Sequence, residues 1–295
     1  MKKTEEAAYF KAMILFDKVA ILGAGLLGGS LALALKDAKL CKRVSLWSRS
    51  ESTRAKCAEK IRGCEVCREI SEAVKDAGLI VLSSTVSSIP EVAKEAAKFA
   101  KKGAVAADVG STKETIAKKC AAAFAKAGVA FVPSHPMAGL EKSGAEFAKK
   151  DLFSGAACFV CPSENKAATN AVKNMWEKLG MRVFFKTPKE HDKIAAKISH
   201  VPQCVSSALA LSAAGDIGTF KKFAGNGFKD TTRIAKSDAN MWKAILSQNP
   251  KNIAKGLDDI SKKLGELSKA IKNSDEKYIE KFLSRAKDTR LKLEK

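Results

Sequence analysis

Apolar residues fall in short runs along the first two-thirds of the chain, with helix-period stretches between them. Strands are predicted over 18–22, 43–47, 79–84, 104–109, 128–132, 156–160 and 182–186. Helix-like segments over 29–35, 90–100, 114–127 and 164–179 alternate with them. Repeated strand–helix units predict an α/β fold with a doubly wound, mostly parallel sheet. Residues 1–15 read as a mixed-charge helical lead-in.

The pattern changes at Thr187-Pro188-Lys189-Glu190. Thr187 with Glu190 three positions on is a capping-box pattern, and a proline suits the first helical position. Everything beyond carries helical spacing. A boundary is therefore placed here, with an α/β domain over 1–187 and an all-helical C-terminal domain over 188–295. Pro202 falls inside the first of these helices and predicts a kink. In the tail, Ile253, Leu257, Ile260, Leu264, Leu267 and Ile271 recur at alternating spacings of four and three. This heptad seam packs either within the domain or against a second subunit.

Gly23-Ala24-Gly25-Leu26-Leu27-Gly28 directly follows the first strand and leads into the first helix. In that context G-x-G-x-x-G points to a Rossmann-type dinucleotide site. Gly23 allows the tight turn, Gly25 lets the backbone approach a pyrophosphate, and Gly28 lets helix and strand pack closely. The helix N-terminus at Leu26 and Leu27 supplies N–H donors to the phosphates. NAD-binding chains usually carry a carboxylate at the end of the second strand. Here Ser48-Arg49-Ser50 stands instead, which favours NADP, with NAD possible if Glu51 serves the acidic role. Thr85 ends the next strand on the cofactor side.

A histidine is held between two prolines in Val132-Pro133-Ser134-His135-Pro136. It follows a predicted strand at its carboxyl end, where ligands sit in open α/β sheets. Ser111, in Gly110-Ser111-Thr112-Lys113, ends the preceding strand on the same side. The bland reading of His135 is a turn residue. The alignment of successive strand ends favours a catalytic one. In the helical part, the bend at Pro202 could aim His200 or Gln203 into a cleft. Arg233, after the glycine-broken stretch 225–232, is a candidate carboxylate clamp.

Composition narrows the field. A hydrophobic content of 46% with 29% charged residues suits a globular domain. No apolar run reaches bilayer length and no signal core is evident, so a cytoplasmic, non-membrane protein is expected. The net charge of +21 raises nucleic-acid binding as a possibility. Lysines are spread along the chain without a block, and two Tyr and three Trp offer little base stacking, so no nucleic-acid partner is expected. The C-x-x-C pairs Cys64/Cys67 and Cys158/Cys161 raise zinc. The second pair lies in a strand-like run, where residues three apart face opposite sides. No metal is expected, and the eight cysteines are read as free thiols.

Together these residues resemble the prephenate and arogenate dehydrogenase family of tyrosine biosynthesis, over residues 18 to about 270. The resemblance rests on Gly110-Ser111-Thr112-Lys113, Ser134-His135-Pro136-Met137-Ala138-Gly139 with Glu141, Lys142 and Ser143, and His191-Asp192 with Ser199-His200-Val201-Pro202. It extends through Gly227 to Ala235 and Met241-Trp242. It implies oxidative decarboxylation of prephenate or arogenate by an NAD(P)-dependent, cytoplasmic homodimer that pairs through its C-terminal helices. It also implies that His135 receives the ring hydroxyl proton, while Ser111 orients His135 or shares the hydrogen bond to substrate. Arg233 would hold a carboxylate, and Glu141 and Trp242 would line the pocket. Many prephenate-using relatives carry a histidine where this chain has Gln203, the residue that would read the substrate side chain. An amide offers both donor and acceptor, so the residue type alone permits either substrate. Lys113, His191 and the cysteine pairs receive no role.

Two other readings compete. A different two-domain Rossmann dehydrogenase, of the hydroxyacid or imine-reducing kind, would rely on a lysine or polar groups in place of His135. A basic nucleic-acid-binding protein on the same scaffold would show steep salt dependence.

Overall fold

A computed structural model of the protein describes residues 14–140, 142 and 144–294. Most of the lead-in expected over 1–15 lies outside these residues. Ile14 and Leu15 are not helical: the Leu15 N–H already donates to the Leu40 carbonyl at 2.8 Å, continuing the strand ladder that follows.

The first half alternates strand and helix: β1 (Phe16–Leu22), α1 (Leu26–Asp37), β2 (Cys41–Trp47), α2 (Glu51–Lys60), β3 (Glu65–Cys67), α3 (Ile70–Val74), β4 (Leu79–Leu82), α4 (Ile89–Ala97), β5 (Val105–Asp108), α5 (Glu114–Ala125) and β6 (Ala130–Val132). The six strands pair in parallel, in the order β3-β2-β1-β4-β5-β6. This is the Rossmann order, and its crevice lies where the order reverses, between β1 and β4. Strand side chains alternate between two cores. Val19 and Ile21 pack with Leu31 and Leu35 of α1, whereas Ala20 and Leu22 pack with Ile89 of α4 and Ile116 of α5. β3 and α3 occupy a stretch whose sequence pattern predicts no element; three and five residues are too few to establish a period.

The next elements depart from expectation. β7 (Ser134–Pro136), β8 (Ala157–Val160), α6 (Lys166–Lys178) and β9 (Arg182–Phe185) build a separate three-stranded sheet, order β7-β8-β9, with β7 antiparallel to β8. His135 is therefore a strand residue, paired with Phe159, and not part of a turn. Pro133 interrupts the ladder after β6, and Pro136 is tolerated because β7 is an edge strand.

All described elements after β9 are helical: α7 (Pro188–Ala195), a π turn (Ala196–His200), α8 (Val201–Ser212), α9 (Ile217–Phe223), α10 (Asn226–Thr232), α11 (Ala239–Gln248), α12 (Pro250–Lys272) and α13 (Glu276–Lys292), with short 3₁₀ turns between. Thr187 and Glu190 form the reciprocal capping box at the start of α7. Helical backbone runs without a break from Pro188 to Ser212, so Pro202 does lie inside it. It follows the π turn, at the start of α8, where the widened turn absorbs its missing donor. The heptad seam divides. Ile253, Leu257 and Ile260 pack against Ala196 and Val201, while Leu264 and Ile271 are each 57% exposed. No helix among the described residues is long and apolar enough to cross a membrane.

Two glycines of the β1–α1 turn differ in what surrounds them. A Cβ on Gly28 would fall 1.9 Å from the Gly23 carbonyl oxygen, whereas a Cβ on Gly25 would meet nothing within 4 Å. Gly28→Ala is expected to destabilise the fold by about 1–3 kcal/mol, measured by urea denaturation. Gly25→Ala is expected to leave the midpoint unchanged while weakening dinucleotide binding, read by titration calorimetry.

Candidate active site

Backbone geometry prepares the β1–α1 turn for a dinucleotide. Gly23 has φ +119°, and a side chain there would strike the Ser83–Ser84 peptide. The N-cap of α1 is Gly25, which supplies no side-chain cap to the first helical N–H groups. Open space above Gly25 and these uncapped donors fit a phosphate. The hydroxyls of Ser83 and Ser84, at the end of β4, are buried without hydrogen-bond partners. Beside the turn, Gly23, Trp47, Ser48, Arg49, Ser50, Ser84, Thr85, Ser88 and Val92 enclose a cleft of about 170 Å³. None of these residues is acidic. Glu51 is not among them; it is exposed in the first turn of α2. Arg54 steadies this loop by donating to the carbonyls of Ser48 at 2.7 Å and Arg49 at 3.1 Å.

A second cluster forms where β5, β7, α5 and α7 meet. Asp108 and Lys113, both fully buried, form an ion pair. The same carboxylate accepts the N–H of Gly110 at 2.8 Å and of Ser134 at 3.2 Å. Burial pushes the Asp108 carboxyl up, and Lys113 and the two N–H donors oppose that. Ser134 Oγ donates to the Asp108 carbonyl at 2.6 Å and accepts from Trp176 Nε1 at 3.1 Å. Lys113 is thus a structural cation with no exposed charge.

Next to Ser134, His135 Nδ1 lies 2.8 Å from His191 Nε2, and His191 Nδ1 lies 2.8 Å from Asp192 Oδ1. Asp192 also accepts the Lys113 N–H at 2.7 Å and the Glu114 N–H at 3.0 Å, capping α5 from the helical half. Asn249 Nδ2 donates to the Asp192 carbonyl at 2.7 Å and lies 3.3 Å from His200 Nδ1. Burial, with His191, Lys113 and His200 nearby, holds His135 well below the usual imidazole range. Burial also lowers His191, although Asp192 opposes it, and lowers His200 to about 4. All three rings are neutral at pH 7.

The partner that orients His135 is therefore His191. Ser111 makes no side-chain hydrogen bond to His135; its backbone lies beside His200. The His200 and Trp242 rings meet edge to face at 6.1 Å, and His200 Nε2 and Trp242 Nε1 are buried without partners. Gln203 Nε2 donates to the Ile234 carbonyl at 3.1 Å, leaving Oε1 buried and unpartnered. Arg233 starts a 3₁₀ turn one residue before that carbonyl and is exposed. No described hydrogen bond joins Gln203 to the His135 chain. Glu141 lies outside the described residues. All eight cysteines are free, and burial pushes the thiols of Cys120 and Cys161 up to about 12.

Sequence reasoning left His191, Asp192, Asn249 and Lys113 without roles. The adjacent pair His191-Asp192 was the available signal, and only folding shows which strand it faces.

A family model described as the prephenate dehydrogenase nucleotide-binding domain matches residues 31–185, and one described as its dimerization domain matches 187–285. Prephenate dehydrogenase of Lactococcus lactis is 31% identical over 94% of this chain and 77% of its own length. Cyclohexadienyl dehydrogenase of Zymomonas mobilis is 29% identical over 95% and 97%. The crystal structure of prephenate dehydrogenase from A. aeolicus, in complex with hydroxyphenyl propionate and NAD+, superposes with a TM-score of 0.86 at 29% identity, covering 94% of this chain and 98% of that one.

The depressed His200 sets a pH dependence of stability. Unfolded, its imidazole titrates near 6.5; folded, near 4. Between these values the unfolded chain binds a proton that the native state does not. The stability this group confers is full above pH 6.5 and is lost as pH falls toward 4, amounting to at most about 3 kcal/mol. Urea midpoints measured across this window are expected to fall with pH, and less steeply in His200→Gln.

Proposed function

The chain belongs to the prephenate dehydrogenase family, and we propose that it oxidatively decarboxylates prephenate to 4-hydroxyphenylpyruvate with a nicotinamide dinucleotide. The observation that carries this reading is His135: buried, neutral, held at one ring nitrogen by His191, its Nε2 making no described hydrogen bond. A bound nicotinamide would supply the hydride acceptor for the ring carbon that bears the hydroxyl. His135 Nε2 accepts the hydroxyl proton as that carbon becomes a carbonyl. Loss of the ring carboxylate as CO₂ then gives a phenolate, and His135 returns the proton, so the residue is regenerated. Arg233 clamps a substrate carboxylate, Ser111 shares the hydrogen bond to the ring hydroxyl, and His200 and Trp242 line the pocket. The division is 1–187 for the cofactor and 188–295 for substrate and dimer contacts. Exposed Phe223, Leu264 and Ile271 support a homodimer through the helical half.

NADP is the preferred cofactor on this reading. The cleft beside Gly23 has Arg49 among its lining residues and no carboxylate to repel a 2′-phosphate. Arg49→Ala is expected to lower the ratio of NADP to NAD kcat/KM at least about tenfold.

A second reading, arogenate, is favoured by Gln203. Donation to Ile234 fixes the amide so that its oxygen is the unpartnered atom. That acceptor pairs with the ammonium of an amino-acid side chain but faces a keto oxygen lone pair to lone pair. Steady-state rates with prephenate and arogenate, each with NAD and NADP, test both readings. On the prephenate reading, prephenate has the larger kcat/KM; on the second reading arogenate exceeds prephenate about tenfold or more, and Gln203→His narrows or reverses that ratio. His135→Asn is expected to lose at least about 100-fold in kcat on either substrate; near-normal turnover would remove the mechanism.

A further inference from the structure

Three side chains stand in series, Asp192, His191 and His135, and their hydrogen bonds admit one consistent assignment of protons. Asp192 accepts from the Lys113 and Glu114 N–H groups and has no proton to give. His191 Nδ1, 2.8 Å from Asp192 Oδ1, must therefore donate. A neutral His191 then has its lone pair on Nε2, which lies 2.8 Å from His135 Nδ1, so His135 must carry its proton on Nδ1. That leaves Nε2 of His135 as an acceptor. The opposite tautomer of His135 would need a doubly protonated His191, and this ring is fully buried, with Phe159 packed edge-on at 5.1 Å and Lys113 nearby. Asp192 is itself immobilised by the α5 N–H groups and by Asn249 on its carbonyl.

We propose that His191, held by Asp192, is a positioning residue that sets the tautomer and ring orientation of His135 and steadies the imidazolium formed when His135 takes the hydroxyl proton. The assignment rests on His135 being the proton acceptor of the proposed reaction. The groups facing the pair are Asp192, Asp108, Lys113 and His200; of these only Asp192 accepts from His191. The logic is that of a nucleophile's base oriented by a third group, with a second imidazole between carboxylate and base.

Two measurements decide it. The chain has three histidines, so long-range ¹⁵N–¹H spectra of histidine-labelled wild-type protein resolve each ring, with His200→Gln assigning the third. The expected result is the Nδ1–H tautomer for both His135 and His191; an Nε2–H tautomer for His135 overturns the proposal without any variant at the pair. The kinetic arm compares His191→Leu, which cannot accept from His135, with His191→Gln, whose amide oxygen can. The leucine variant is expected to lose roughly 100-fold in kcat with little change in substrate KM or dinucleotide Kd, and the glutamine variant to recover most of it. A purely structural role would lower thermal stability in both and leave kcat per folded molecule intact, which would also overturn the proposal. Wild-type turnover in His191→Leu beside an inactive His135→Asn sinks this assignment alone, whereas turnover in His135→Asn sinks the parent reading.

Discussion

The buried ion pair between Asp108 and Lys113 is the constraint on which the site depends. One carboxylate at the end of β5 receives the lysine and the N–H groups of Gly110 and Ser134, and its own carbonyl takes the Ser134 hydroxyl. The turn into α5 and the strand that carries His135 are thus tied to a single residue. Such a pair gains little stability over an apolar substitute, but removing either partner leaves an uncompensated buried charge. Its contribution here is geometric: it places the β7 backbone beside the end of β5, although β7 has left the parallel sheet.

A second tie crosses from the helical half. Asp192 of α7 caps α5 in place of any side chain from α5's own N-cap. Gln248 of α11 accepts from Thr112 at 2.6 Å and donates to the Val86 carbonyl at 2.8 Å, while Asn249 holds Asp192 and approaches His200. The interface near the site is therefore polar and directional. Each of these bonds specifies one docking geometry, so the His135 environment is assembled only when the two halves meet.

Unpartnered polar atoms mark where ligands belong. Ser83 and Ser84 lie under the glycine turn, and His200, Gln203 and Trp242 lie in the helical half. Buried polar atoms normally find partners, so these five are the groups left for the proposed cofactor and substrate to satisfy. These atoms lie apart from the Asp108–Lys113 pair, whose carboxylate takes the lysine and two backbone N–H groups from within the chain.

Much of this was legible in the amino-acid order. Short apolar runs such as 19–22 and the glycine spacing of 23–28 are local signals, because a strand's burial and a turn's tolerance for a side chain are decided by near neighbours. Alternation of strand and helix requires crossovers, and crossovers make a parallel sheet. Two flanking prolines singled out His135. The remainder needed the folded chain. His191 meets His135 across 56 residues, and Asp192 caps α5 across 78; no spacing encodes such a pairing. Lys113 could not be told from a solvated lysine until burial placed it against Asp108. The resemblance implied that Ser111 orients His135 or shares its hydrogen bond to substrate, yet β7 turns His135 toward α7. The free atom of Gln203 was likewise undecided, since its residue type offers donor and acceptor alike. Local sequence set the elements and the chemical types available, and tertiary packing alone decided which proton sits on which atom, because that depends on partners brought together from distant parts of the chain.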